Sequence, residues 1–261
     1  MQENFILSID CGSQSIKALI FDDKGNLAAK NQKTFPPYDA PEPNWAERDV
    51  DVFWDSLCEV TNGIKKENPE LFSKIVGVSI TTQRDTVVFL DKDKKSFRPS
   101  ILWMDNRKQK EHKPMKFIYN VITKASSMYK IAVAVNKGCP AHWIQKHQPE
   151  VWEKTDKYVL LSGYLNYRMT GVLKDNSANQ IGHIPFSNKS GKWEKKYAIK
   201  AQFFQINRDK LIDLVPPATV LGGITKEASK ATGIAEGTKY ISAGSDKGCE
   251  TLGTGCFDES K

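Results

Sequence analysis

The sequence lacks an apolar run approaching the roughly 20 residues that cross a bilayer, and its start, Met1-Gln2-Glu3-Asn4, places no basic segment ahead of the short apolar stretch Phe5 to Ile9. No membrane partner and no secretory leader are expected, and a cytoplasmic address follows. Cysteine is sparse and dispersed: Cys11, Cys58, Cys139, Cys249 and Cys256 contain no C-x-x-C pair with which a nearby histidine pair could complete a zinc pattern, and His112, His142, His147 and His183 are dispersed too. Reduced thiols are expected, and a histidine metal site or a Ser-His-Asp triad has little support. Internal repeats and low-complexity segments are also missing, which sets aside solenoids and disordered linkers.

What is present is an ordinary globular composition. The 261 residues are 39% hydrophobic, enough for one large core or two small ones. The formal net charge of +7 raises the question of nucleic acid. Its lysines read as scattered among acids along the chain, without a basic tract interleaved with aromatics, so nucleic acid is not an expected partner. A modest positive excess suits phosphorylated ligands, and solvated lysines explain most of it.

Along the chain, Phe5 to Asp10, Ile16 to Asp22 and Leu27 to Thr34 predict a three-stranded meander, with Asp23-Lys24-Gly25-Asn26 supplying one turn. Tyr38 to Asn44 is proline-rich loop. Val50, Phe53, Trp54, Leu57, Thr61 and Ile64 recur at helical spacing behind Asp49, which stands where an N-cap belongs. Strands are predicted at 75–80 and 86–90 around Thr81-Thr82-Gln83-Arg84-Asp85, with a further short strand at 101–103. Helices are predicted at 106–124 and 140–148, then alternating elements up to the strand 240–243 and the junction Gly244-Ser245-Asp246. This order argues for an α/β layer architecture. In such sheets ligands collect outside the carboxyl ends of strands, so Asp10, Arg84, Asp85 and Asp246 are candidates for one shared site.

The segment Asp10-Cys11-Gly12-Ser13-Gln14-Ser15-Ile16-Lys17 joins the first two strands. Gly12 lets backbone approach a polyphosphate, hydroxyl side chains donate to its oxygens, and a strand-end carboxylate holds a hydrated magnesium ion. A polar hairpin turn explains the same residues. Cys11, beside this motif, fits core packing better than catalysis.

The segment resembles the first phosphate motif, D-x-G-T-x-S, of the superfamily of sugar kinases, actin and heat-shock chaperones, with Ser13 in the place of threonine. Asn44-Trp45-Ala46-Glu47-Arg48-Asp49-Val50-Asp51-Val52-Phe53-Trp54 is similar to a signature of the FGGY branch, the carbohydrate kinases. Ile80 to Thr86 resembles a segment of glycerol kinases in which glutamine, arginine and an acid precede a strand. Ile101 to Arg107 and Gly163 to Gly171 are similar to further family segments, the latter a helix with a packing role. Gly244-Ser245-Asp246-Lys247-Gly248-Cys249 looks like the family's catalytic strand-to-helix junction, with Lys247 departing from the commoner glutamine or small polar residue.

The resemblance implies an α/β, ribonuclease-H-like (actin-like ATPase) domain with a mixed sheet and flanking helices over 1–261, and a carboxyl-terminal nucleotide-binding domain outside this chain. It implies ATP-dependent phosphorylation of a polyol or ketose hydroxyl in a two-domain enzyme, with ATP and Mg2+ as cofactors. Asp246 is then the general base. Arg84 and Asp85 hold the sugar, and Asp105 borders its pocket, although an N-cap role fits Asp105 as well. Asp10, Gly12, Ser13, Gln14 and Lys17 form the nucleotide-contacting loop, and Asp10 is the residue facing the metal. Adjacent residues such as Arg84 and Asp85 point to opposite sides of a strand, so both reach one ligand only from a loop conformation. A ribonuclease-H-type nuclease and a sugar-binding or regulatory domain without turnover are the rival readings. A homodimer is left open.

Overall fold

The computed structural model describes residues 3–255; Cys256 lies outside them. Phe5, Leu7, Ile9 and Cys11 alternate with more exposed residues along strand β1 (Phe5–Cys11), so one face of the strand is buried and the other is not. The same alternation in β2 (Ser15–Phe21) buries Ile16, Ala18 and Ile20 on that face. With β3 (Leu27–Thr34) they form the expected antiparallel meander.

Helix α1 (Val50–Glu67) follows the two-residue strand β4 (Glu47–Arg48) and is capped by Asp49, whose carboxylate accepts from the Asp51 N–H at 3.0 Å. Its apolar stripe, including Phe53, Trp54, Leu57 and Ile64, packs on β2 and β3. After the short helix α2 (Pro69–Ser73) comes β5 (Ile75–Thr82), which runs parallel to β1. The chain then leaves this sheet. Strands β6 (Val87–Leu90), β7 (Ser100–Ile101) and β8 (Lys157–Leu160) join β4 in a second, antiparallel sheet of order β4-β7-β6-β8.

Between β7 and β8 lie α3 (Phe117–Ala125), α4 (Tyr129–Lys137), α5 (Pro140–His147) and α6 (Pro149–Lys154). The helix expected over 106–124 starts only at Phe117. Residues 106–116 run irregularly because Arg107 and Gln109 are buried and tied down, the latter by its N–H to the Lys137 carbonyl at 3.1 Å, and Pro114 cannot donate in a helix interior.

Helix α7 (Leu161–Thr170) is buried almost all round and ends on Gly171 in the left-handed region. At Gly163 a Cβ would lie 2.8 Å from Ile212 Cδ1, so a larger residue there would require the end of the Ile212 side chain to shift. Beyond it, β9 (Lys174–Asn176) pairs with β12 (Asp213–Val215), and β10 (Phe186–Ser187) with β11 (Lys192–Trp193), around the short helix α8 (Ile199–Phe204). The chain returns to the first sheet through β13 (Val220–Gly223), α9 (Lys226–Thr232) and β14 (Lys239–Ser242), the last parallel to β5. The final described helix is α10 (Asp246–Gly253).

The first sheet is therefore mixed, in the order β13-β14-β5-β1-β2-β3. Its core lies between the sheet and α1, α7 and α9, and a second core containing Phe89, Ile101, Trp143 and Tyr158 lies under the second sheet. Among the described residues no helix is long and apolar enough to cross a membrane.

Candidate functional site

Strands β1, β5 and β14 are parallel neighbours, so their carboxyl ends lie on one edge of the sheet. Asp10 pairs in register with Thr81, and the Thr81 hydroxyl donates to the Gly244 carbonyl at 3.0 Å. The first phosphate-type turn and the 244–246 junction are thus joined through one side chain.

The junction is built so that Asp246 need not cap its own helix. Ser245 is the N-cap and accepts from the Gly248 N–H at 3.4 Å. Asp246 occupies the first helical turn, where the helix N-terminus favours an anion. Its Oδ1 accepts from the Lys247 N–H at 2.7 Å and lies 3.4 Å from Arg84 Nε.

Arg84 and Asp85 stand in the bend between β5 and β6, and Asp85 has φ 56°, outside extended backbone. That loop conformation meets the condition for two adjacent side chains to serve one ligand. Both line a cleft of about 520 Å3, together with Ser13, Gln83, Trp103, Gly182 and Asp246. Larger hollows occur elsewhere on the surface, at Tyr38 to Ala46 for example, but none of the predicted site residues lines that one.

Asp85 is also committed to a structural contact. Its Oδ1 accepts from the His183 N–H at 2.9 Å and its Oδ2 lies 2.6 Å from His183 Nδ1. Burial works against the charged His183 ring, but the hydrogen bond and charge of Asp85 overcome it and raise its pKa above the usual histidine value. Gly182 has φ 137°, and a Cβ there would fall inside the Asp85 carboxylate, so glycine is required at this approach.

The segment before it is anchored by Asp175, which is fully buried. Ser162, Asn179 and Gln180 side chains and the Asn176 N–H donate to it at 2.6, 3.1, 2.8 and 2.8 Å. Burial nevertheless pushes the Asp175 carboxyl up, the hydrogen bonds opposing it.

The phosphate-type turn is held from below. Gly12 donates to the Ser15 carbonyl at 3.0 Å, Gln14 accepts from the Phe35 N–H through its carbonyl at 2.8 Å, and the Gln14 side chain is exposed. Arg48, buried against the rings of Phe35 and Phe53, donates to the Ser13 and Pro36 carbonyls at 3.3 and 2.9 Å. The Trp45 to Trp54 segment thereby supports the turn as well as opening α1. Trp103 Nε1 donates to Ser13 Oγ at 2.7 Å, which brings Ser13 into the cleft. Asp10 does not line it; Asp10 faces the half-exposed side of the sheet, with Lys17 Nζ 3.2 Å from its Oδ2. Cys11 is fully buried, which raises its thiol pKa far above the usual value and agrees with a packing role.

Asp105 departs from both expectations. It neither lines the cleft nor caps a helix. Its carboxylate is buried and accepts from the Ala46 N–H at 2.6 Å and from Arg107 Nε and Nη2 at 2.8 and 2.7 Å. Arg107 in turn reaches Glu47 at 2.7 Å and is packed against the rings of Trp45 and Trp143. Arg98 also meets Glu47, at 2.5 Å. This buried network ties the Trp45 loop to the second sheet.

Three residues were not legible as site residues. Trp103 reads as strand, and Gly182 and His183 fall outside every motif; the indole is exposed and meets the Ser13 turn only through the tertiary structure, so no local signal marked it. Gln83 also lines the cleft, buried, with neither amide atom hydrogen-bonded among the described residues.

The chain is 30% identical over 259 residues to an uncharacterized sugar kinase, YgcE, of Escherichia coli, covering 99% of this chain and 45% of that protein. It is 24% identical to a xylulose kinase of Lactococcus lactis, over 98% of this chain and 50% of the other. The chain spans about half the length of these relatives. Its fold matches the crystal structure of a xylulose kinase from Rhodospirillum rubrum with TM-score 0.80 at 22% identity, over 98% of this chain and 51% of that one. It matches a Plasmodium falciparum glycerol kinase with ADP with TM-score 0.75 at 20% identity, over 98% and 51%. These likenesses bear out the mixed α/β, actin-like ATPase fold. Residues 5–253 match the model of the N-terminal domain of the FGGY carbohydrate kinases, and the chain belongs to that family.

Proposed function

We propose that this chain supplies the sugar site and the general base for ATP-dependent phosphorylation of a polyol or ketose hydroxyl. The observation that carries this reading is the placement of Asp246: Ser245 does the capping, and the Asp246 carboxylate stands in a polar cleft beside Arg84. The contacts of that carboxylate with the Lys247 N–H and Arg84 Nε both fall on Oδ1, so Oδ2 is the oxygen we assign to take the proton of the attacking hydroxyl. Arg84 donates to the sugar hydroxyls, and Asp85, already paired with His183, accepts from one of them.

For the nucleotide, a single half-exposed carboxylate suits a magnesium ion that keeps most of its waters, and Asp10 has that character. When bound, ATP with its metal supplies the phosphoryl group. Asp10 would face the hydrated ion, Gly12, Ser13 and Gln14 would lie along the phosphates, and Lys17 would offset their charge. Because the relatives are about twice as long, we assign the adenosine pocket to a second, carboxyl-terminal domain, whose closure would exclude water as a competing acceptor. By itself the present chain binds sugar with little turnover.

A screen of the full-length protein over polyols, pentuloses and hexuloses, with coupled ATP consumption, tests this. ATP consumption dependent on one of these sugars is expected; none with any of them would overturn the reading.

A further inference from the structure

The net charge is not spread along the chain. Residues 108–149 hold eight lysines and one acid, Glu111, a net +7 equal to that of the entire chain, while the remainder carries 30 basic and 30 acidic residues. This corrects the sequence reading of scattered lysines. The block runs from the approach to the α3–α4 hairpin through α5; Lys116, Lys124 and Lys130 belong to the hairpin, Lys108 and Lys110 precede it, and Lys146 is on α5. Of its lysines, Lys108, Lys110, Lys116, Lys124, Lys130 and Lys146 are exposed.

The same hairpin shows large apolar side chains to solvent. On α3, Phe117 is 82% exposed, and Ile118, Val121 and Ile122 continue a stripe at helical spacing. That stripe lies opposite Tyr119 and Thr123, which face the second core. On α4, Ile131 is 62% exposed and lies opposite the buried Ala132 and Asn136. Met128, in the turn between the helices, is also exposed. A cluster of exposed large apolar side chains on one helix pair is the kind of surface that marks an interaction site.

We propose that the α3–α4 hairpin lies on an anionic lipid surface, its aliphatic side chains entering the headgroup boundary and its lysines meeting the acidic headgroups. Helices with an apolar face and a lysine-rich flank bind membranes in this way, without spanning them. A second copy of the chain is a poor occupant, because two faces of the same +7 block would oppose each other. Nucleic acid is disfavoured because the exposed side chains are mostly aliphatic and the block contains no arginine. The attachment is peripheral and needs no spanning helix, of which there is none among the described residues.

The test is co-sedimentation of the full-length protein with vesicles of phosphatidylglycerol and phosphatidylcholine in equal parts, against phosphatidylcholine alone. Binding to the anionic vesicles is expected, with loss on raising the salt to about 0.5 M. Lys116→Gln with Lys124→Gln should lower the partition about 25-fold, at about fivefold per lysine. Phe117→Ser with Ile131→Ser should lower it about tenfold or more. All four residues are exposed, so thermal melting should be unchanged. Equal binding to both vesicle types, or undiminished binding by both variants, would overturn the proposal. So would absence of binding by the full-length protein, which would mean that the face is covered in the whole molecule. A Phe117-dependent dimer in sedimentation velocity without lipid binding, or tighter binding to an oligonucleotide than to the anionic vesicles, would likewise replace the membrane by another occupant.

Discussion

Arg84 Nε lies 3.4 Å from Asp246 Oδ1, a contact between the bend after β5 and the start of α10. Neither side chain is deeply buried, with 38% and 24% of their surfaces exposed, so the pair is weak as a stabilising ion pair. Its consequence is positional: the guanidinium and the carboxylate are held facing one cleft, and a hydroxylated ligand entering there meets a donor and an acceptor together.

Replacing Asp246 by Asn keeps the shape and removes the proton acceptor. In the full-length protein turnover should fall about 10²–10⁴-fold, the usual contribution of a general base, while sugar affinity changes little. The check is steady-state kinetics with a pH profile. Near-normal turnover with an unchanged profile would reduce Asp246 to a structural residue.

Arg84→Ala removes a charge-assisted donor worth about 1.5–3 kcal/mol when its partner is desolvated, so sugar affinity should weaken by about tenfold or more. Calorimetric titration with the sugar found in the screen measures it. An unchanged affinity in a folded variant would take Arg84 out of the site.

Asp105→Ala separates architecture from recognition. It leaves Arg107 and Glu47 in a buried network short of one carboxylate, and a loss of about 3–5 kcal/mol in unfolding free energy is expected. Asp105→Asn, which retains part of the hydrogen bonding, should unfold less easily than the alanine variant and bind sugar normally. Weaker sugar binding by this folded variant would return Asp105 to the substrate pocket.

The Asp85–His183 pair makes the cleft wall sensitive to pH. Because Asp85 raises the folded-state pKa of His183, the pairing contributes fully below the unfolded value near 6.5 and is lost as pH rises through the higher folded value. NMR titration of the His183 ring should show a midpoint above about 6.5. In Asp85→Asn, burial is no longer outweighed by the carboxylate's hydrogen bond and charge, and the midpoint should drop below that value. Amide exchange around Gly182 should quicken with pH by more than the intrinsic rate only when Asp85 is present.

Much of this was written locally. Alternation in Phe5 to Cys11 and Ser15 to Phe21, the Asp49 cap ahead of a helical stripe, and small residues leading into Asp246 each depend on neighbours a few positions away. Backbone periodicity and capping act over that range, so the sequence by itself determined the meander, α1, the phosphate-type turn and the start of α10. It did not determine which carboxylates share a cleft. Asp105 faces Arg107 because residues 106–116 are pinned in an irregular path, and Asp85 meets His183 because the loop anchored by Asp175 returns past the second sheet. Trp103 reaches Ser13 only once β7 is seated beside β6, and Lys116, Lys124 and Lys130 come near one another only when α3 and α4 pack as a hairpin. Apart from Asp105 with Arg107, which are two residues apart and meet because of the local path, these are long-range pairings, and strand order and loop path decide them, because no periodicity in one segment encodes the position of another.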